Sequence, residues 1–166
     1  MLRDDFVVRA ATKGDWRNLR DLRLESLLDT PEAYGSTYEE SLQRGAAQWK
    51  QTARNFNYYV AERNAELTGM ASGGLNERFP GTAWLYGMYV TPEERGTNTA
   101  RALVARVARW ALEAGYEDLY LDVGVGVARA RAFYQREGFI DTGERRSLTR
   151  DASLELITMR RALRRG

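Results

Sequence analysis

The sequence predicts a single α/β (α+β) domain organised around a mixed sheet, and three stretches carry that expectation. Residues 83–123 read strand, polar turn, helix, strand, which implies two parallel neighbours joined by a right-handed crossover. "NYYVAE" (57–62) and "LTGMASGG" (67–74) are β-prone runs separated by the turn-like "RNAE" (63–66), the pattern of an antiparallel hairpin. "FIDTGERR" (139–146) and "SLELITMR" (153–160) suit two closing strands. The 166 residues, read as one domain over 1–166, are enough to bury about two thirds of the unfolded surface.

Each element follows from local chemistry. "FVVRA" (6–10) is a short β-branched run. Thr12 with Asp15 three residues on forms a variant capping box, so a helix starts there, with Trp16, Leu19, Leu24, Leu27 and Leu28 on its apolar side and Pro31 at its end. "EAYGSTYEES" (32–41) reads as an aromatic-bearing loop before a second helix that buries Leu42, Ala46 and Trp49. The hairpin and the loop "LNERFPGT" (75–82) come next. "AWLYGMYV" (83–90), closed by Thr91 and Pro92, has the near-continuous apolar run of a strand buried on both faces. In the helix that follows, Ala100, Leu103, Val104, Val107, Ala108, Ala111 and Leu112 recur at helical spacing, with Gly115 at the cap. "EDLYLDV" (117–123) is the next strand, and "ARARAFYQREGF" (128–139) is a last helix closed by Gly138.

Composition removes whole classes of chemistry. With neither cysteine nor histidine, the chain has no disulfide, no thiolate or imidazole metal site, no cysteine nucleophile and no histidine base, and no metal is expected. At 43% hydrophobic and 29% charged residues it reads as an ordinary globular protein. The 23 arginines against two lysines are scattered among acids until the tail "MRRALRRG", which disfavours a nucleic-acid surface at a net charge of +2. The start "MLRDDFVVRAATKG" has no apolar stretch of leader or membrane length, so a cytoplasmic protein without membrane contact is the expectation.

The stretch "RGTNTAR" (95–101) puts a small, polar turn directly against a helix start. The first amides of a helix lack internal partners and sit at the positive end of its dipole, so Gly96, Thr97, Asn98, Thr99 and Ala100 could present N–H groups to a phosphate, with Arg95 and Arg101 adding charge. An ordinary polar loop ahead of a capped helix is the competing reading. A P-loop would need Gly-Lys-Ser/Thr and a dinucleotide fingerprint three spaced glycines, and neither is present.

The turn resembles the Q/R-x-x-G-x-G/A pyrophosphate loop of the GNAT superfamily of acetyl-CoA-dependent N-acetyltransferases, with Arg95 first and Ala100 last. Asn98 stands where that family has glycine, and asparagine is the residue expected to accept a left-handed backbone there. "LYGMYVTPEERG", "LYLDV" and "ARAFYQREGF" are similar to the family's central strand, next strand and Phe-Tyr helix, and "LRLESLLDTPEAYGSTYEE" resembles the acceptor-side helices of a bacterial branch.

This resemblance implies a mostly antiparallel sheet whose central parallel strands splay apart, with flanking helices. It also implies that the backbone of Met88, Tyr89 and Val90 binds the pantetheine arm, an N–H of this segment (the reason Tyr89 is a catalytic candidate) facing the thioester carbonyl. Tyr134 matches the tyrosine that meets the coenzyme sulfur and would protonate the departing thiolate. The family's frequent asparagine seven residues earlier is Val127 here, within "VGVGVA" (123–128), whose Gly124 and Gly126 suit either backbone approach to the ligand or a bulge. The base is open among Glu39, Glu40, Glu77, Asp122 and water. Tyr34, Tyr38, Trp49, Phe79, Trp84 and Tyr86 are candidates for the acceptor wall or for the core. Expected partners are acetyl-CoA and a small amine, with a homodimer as the candidate assembly; a non-catalytic acyl-CoA sensor or interaction module is the alternative.

Overall fold

A computed structural model describes residues 6–55 and 57–164. The segment 1–5 at the start, Phe56 and the last two residues of the basic tail lie outside the described residues. Strands β1 (Phe6–Ala10), β2 (Asn57–Arg63), β3 (Glu66–Leu75), β4 (Ala83–Val90), β5 (Asp118–Gly124), β6 (Ile140–Leu148) and β7 (Asp151–Ala162) form one sheet in the order β1-β2-β3-β4-β5-β7-β6. The β4–β5 pair is parallel and the other neighbours are antiparallel. Helices α1 (Trp16–Asp29), α2 (Tyr38–Leu42), α3 (Ala46–Asn55), α4 (Thr99–Glu113) and α5 (Ala128–Arg136) flank it.

Two cores hold the layers together. Leu103, Val104, Val107 and Ala111 of α4 pack with Tyr59, Ala71, Leu119, Leu121 and Met159, and Tyr134 and Phe139 join this cluster. Leu19 and Leu22 of α1 and Ala53 of α3 pack with Val60, Met70 and Tyr89 in a second cluster. The capping box of Thr12 and Asp15 forms as expected, with one turn of 3-10 helix ahead of α1, and Gly115 and Gly138 close α4 and α5.

Three expectations need correction. Leu28 and Leu42 are exposed, and Ala46 is too, because the second helix breaks into α2 and α3 and only Trp49 remains on the buried side. The break follows a helix start at Thr37, whose side chain caps Glu40, so Glu39 and Glu40 are helical residues and not part of a loop. Strand β4 is buried on both faces only over Ala83–Leu85; from Tyr86 onward it borders a cleft.

The β2–β3 hairpin closes on Asn64 and Ala65, both with positive φ (52° and 65°). Two-residue hairpin turns demand this handedness, and a Cβ there costs about 1–2 kcal/mol. Ala65→Gly should therefore raise stability by about 0.5–1 kcal/mol, the relief of strain outweighing the looser unfolded chain. An unchanged or lower urea midpoint would show that the turn carries no such strain.

Candidate active site

The parallel strands are registered only at Ala83↔Leu119 and Trp84↔Tyr120, although β4 continues to Val90 and β5 to Gly124. Beyond Trp84 they diverge, and a cavity of about 570 Å³ opens between them. It is lined from β4 by Leu85 to Val90, from β5 by Leu121 to Gly124, and from α5 by Ala130, Phe133 and Tyr134. Arg95, Gly96, Ala100, Arg23, Tyr34 and Tyr58 also line it.

A bulge shapes the β4 wall. Ser72 pairs with Tyr86 and Met70 with Tyr89, so β4 uses one residue more than β3 across this interval, and Gly87 takes φ +59°. Such an insertion re-aims the strand, and here it frees backbone from the ladder at the point where β4 faces the gap. The Met88 carbonyl accepts a hydrogen bond from the Tyr34 hydroxyl at 2.9 Å. Burial pushes the Tyr34 phenol up to about 12. The Tyr89 side chain does not serve the cleft: it is buried in the α1–α3 core, and its hydroxyl donates to Glu25 Oε2 at 2.7 Å, so a catalytic part for Tyr89 would have to come from its backbone.

The turn before α4 is ready for an anion, but differently from the sequence reading. Gly96 holds the left-handed conformation, at φ +82°, whereas Asn98 is right-handed (φ −81°, ψ −1°) and is the N-cap of α4. The expectation of a left-handed Asn98 is thereby overturned: asparagine meets no φ requirement there, and exchange for glycine brings no relief. The amides are not consecutive donors either. Thr97 N–H donates to Glu94 O and Thr99 N–H to Thr97 Oγ1, while among the described residues the amides of Gly96, Asn98, Ala100 and Arg101 have no acceptor.

Beneath the turn lies a buried carboxylate. Glu94, 5% exposed, accepts from Arg63 Nε at 2.7 Å, from Thr99 Oγ1 at 2.7 Å and from Thr97 Oγ1 at 3.1 Å. The Arg63 guanidinium holds its carboxyl below the ordinary glutamate value. Thr97 and Thr99 thus act on the turn through Glu94 and do not line the cavity; Asn98 and Arg101 lie outside the lining as well, Arg101 being exposed and 3.6 Å from Glu137. Arg95 does line it, and its Nη2 meets Asp29 Oδ2 at 2.5 Å.

Tyr134 is buried, 8% exposed, with its ring edge-on to Phe139 and tilted against Phe133. Burial pushes its phenol well above the ordinary tyrosine value, and among the described residues no hydrogen bond holds its hydroxyl. Val127 lines the cleft and is the N-cap of α5, with its methyl 3.1 Å from where a Cβ on Gly124 would sit. A side chain at Gly124 would therefore press on Val127, which would have to give by a few tenths of an ångström.

Of the base candidates, Asp122 is the one carboxylate among the described residues lining the cleft, and both of its oxygens are engaged, by Thr158 Oγ1 at 2.7 Å and by Arg146. Glu77 borders a neighbouring cavity of about 280 Å³, and Glu40 is occupied in its capping box. Among the aromatics, Tyr34 and Tyr86 line the cleft. Trp84 is fully buried in a stack with Phe79, Tyr86 and Tyr120, and Trp49 is core beneath Arg44; Tyr38 lies on α2 away from the lining. Sequence reasoning missed Arg23, Tyr58 and Gly87. For Arg23 a signal existed: it falls one helical turn from Leu19 and from Ser26 and Leu27, inside the buried stripe of α1.

A splayed parallel pair, a bulged strand facing the gap and an anion-ready turn at the start of the following helix define an acyl-coenzyme-binding architecture. The sequence model of the acetyltransferase (GNAT) family matches residues 16–139, and the chain belongs to that family. N-acetyltransferase 8 of Homo sapiens is 34% identical over 91 residues, 52% of this chain and 40% of that protein. The IAA acetyltransferase of Azospirillum brasilense is 30% identical over 89 residues, 54% of this chain and 58% of that protein. The chain thus spans about half the length of these curated relatives. Among solved structures, a GNAT acetyltransferase from Streptococcus pneumoniae superposes with a TM-score of 0.79 at 14% identity, over 96% of this chain and all of that one. The Salmonella typhimurium protein yncA, solved with its cofactor acetyl-CoA, superposes at 0.75 with 20% identity, over 98% of this chain and 96% of that one. Among the described residues no helix is long and apolar enough to cross a membrane.

Proposed function

We propose that the protein transfers an acetyl group from acetyl-CoA to the primary amine of a small molecule, by direct attack in a ternary complex. The observation that carries this reading is the divergence of β4 and β5 beside a turn with four unbonded amides, a slot for an extended thioester ending in a phosphate seat. Gly96, Asn98, Ala100 and Arg101 N–H groups and the Arg95 guanidinium would hold the pyrophosphate, and the backbone of Met88, Tyr89 and Val90 the pantetheine arm. The amine nitrogen attacks the carbonyl carbon, the C–S bond breaks, and the Tyr134 hydroxyl gives its proton to the leaving sulfur. The ammonium gives one proton to water before attack, since the cleft's carboxylate, Asp122, is already ion-paired, and the second, lost from nitrogen as the amide forms, returns through water to the Tyr134 phenolate.

Steady thiol release from acetyl-CoA in the presence of an amine panel tests the reading. Binding of acetyl-CoA without amine-dependent release would replace it with the sensor alternative, to which Val127 and the engaged Asp122 lend support. Arg95→Ala should weaken CoA by about 1.5–3 kcal/mol and leave dephosphorylated pantetheine nearly unaffected. Equal losses for both ligands would remove Arg95 from the pyrophosphate seat.

A further inference from the structure

The cleft contains a cation with no counter-ion among the described residues. Arg23 lines the cavity, and its Nη1 is buried with no hydrogen-bond partner. Its guanidinium lies over the Tyr34 ring, 4.5 Å from the centroid, which covers one face. A charged donor buried without an acceptor is costly in a folded protein, more so than a neutral one. The cleft's own carboxylate cannot relieve it, because Asp122 is taken by Arg146 and Thr158.

The surroundings of Nη1 form a small polar cradle. A Cβ built on Gly87 would meet Tyr58 Oη at 3.8 Å, Arg23 Nη1 at 3.9 Å and Ser72 Oγ at 3.9 Å, with nothing nearer. Three polar atoms on α1, β2 and β3 therefore surround one spot above the bulge, and the missing side chain of Gly87 keeps it open. It adjoins the β4 wall through Tyr34: the ring lies under Arg23 and the hydroxyl reaches Met88 O.

Resting on the acetyl-transfer reading, we propose that the acceptor is a small amino acid, or a related amine with a carboxylate close to the reacting nitrogen, held by the Arg23 guanidinium above Gly87. A planar fork of N–H donors matches a carboxylate. Tyr34 touches both Arg23 and the Met88 carbonyl, so a carboxylate on Arg23 would lie beside the strand that borders the gap. The same charge repels an acceptor that carries a second ammonium near the first, which disfavours polyamines.

Matched pairs test this: phenylalanine and leucine against phenethylamine and isoamylamine as acceptors, and N-acetylphenylalanine against N-acetylphenethylamine as ligands in the presence of CoA by calorimetry. The acids should exceed the decarboxylated amines in kcat/KM by about 10- to 100-fold. That ratio should collapse in Arg23→Gln and be partly restored in Arg23→Lys, with melting temperature reporting that both variants fold. Arg23-dependent binding of N-acetylphenylalanine without any thiol release would keep the carboxylate seat and sink acetyl transfer. Thiol release with no preference for the acids, a ratio unchanged in Arg23→Gln, or no binding of N-acetylphenylalanine together with no turnover would each overturn the carboxylate seat.

Discussion

Replacing Tyr134 by phenylalanine should lower kcat by about 10²- to 10⁴-fold, the span of general acid catalysis, with acetyl-CoA affinity and melting temperature nearly unchanged. The ring contributes the packing against Phe133 and Phe139, and the substitution keeps the ring. The hydroxyl is the only group removed, and among the described residues it holds no structural hydrogen bond whose loss would disturb the fold. Burial keeps the phenol protonated at any working pH. A buried departing thiol is raised by the same effect, so donor and acceptor shift together and transfer stays feasible. Acyl donors with more acidic leaving thiols should rescue the variant more than the wild type, which a packing defect could not do. Turnover of Tyr134→Phe at the wild-type rate would dismiss it as the acid and leave the leaving group to solvent.

Glu94→Ala is expected to destabilise the fold by about 3 kcal/mol, because it removes the buried carboxylate that accepts from Arg63, Thr97 and Thr99. It also releases Thr97 and Thr99, so CoA affinity should fall in step, read by urea unfolding and by titration on the same protein. Glu94→Gln keeps an acceptor and should cost less. The pH dependence has a definite sign. A carboxyl lowered in the folded state contributes stability above its unfolded value, near 4.5, and loses that contribution as pH falls through the lower folded value. The wild type should thus lose its lead over Glu94→Gln on acidification below about 4.5. A gap that stays constant down to unfolding would mean that Arg63 and Glu94 are not coupled as an ion pair.

Elements with a strong local signal were legible in the chain. The hairpin around Asn64 and Ala65, the strand-turn-helix-strand unit and the α5 position of Tyr134 all follow from periodicity, caps and turn residues. Tertiary facts were not. Leu28 and Leu42 fit an apolar stripe by spacing, yet no layer lies over them, and spacing alone cannot say which face is covered. The left-handed position belongs to Gly96 because the turn is set by Glu94 underneath, a contact that depends on Arg63 from another strand. Arg23 was readable as a charge within a buried stripe, but its lack of a partner is a property of the assembled cleft.

The separation of β4 from β5 has a consequence for solubility as well as for chemistry. A strand edge with free N–H and C=O groups is normally a template for aggregation, and proteins shorten it, charge it or cover it. The outer edge at β6 follows that practice, carrying Asp141, Glu144, Arg145 and Arg146. The inner edges made by the divergence are long and uncharged along Leu85–Val90, but they face each other across a gap in the middle of the sheet, where no second protein molecule can align a strand against them. The fold can therefore hold this stretch of β4 out of the parallel ladder without offering an edge to its own copies.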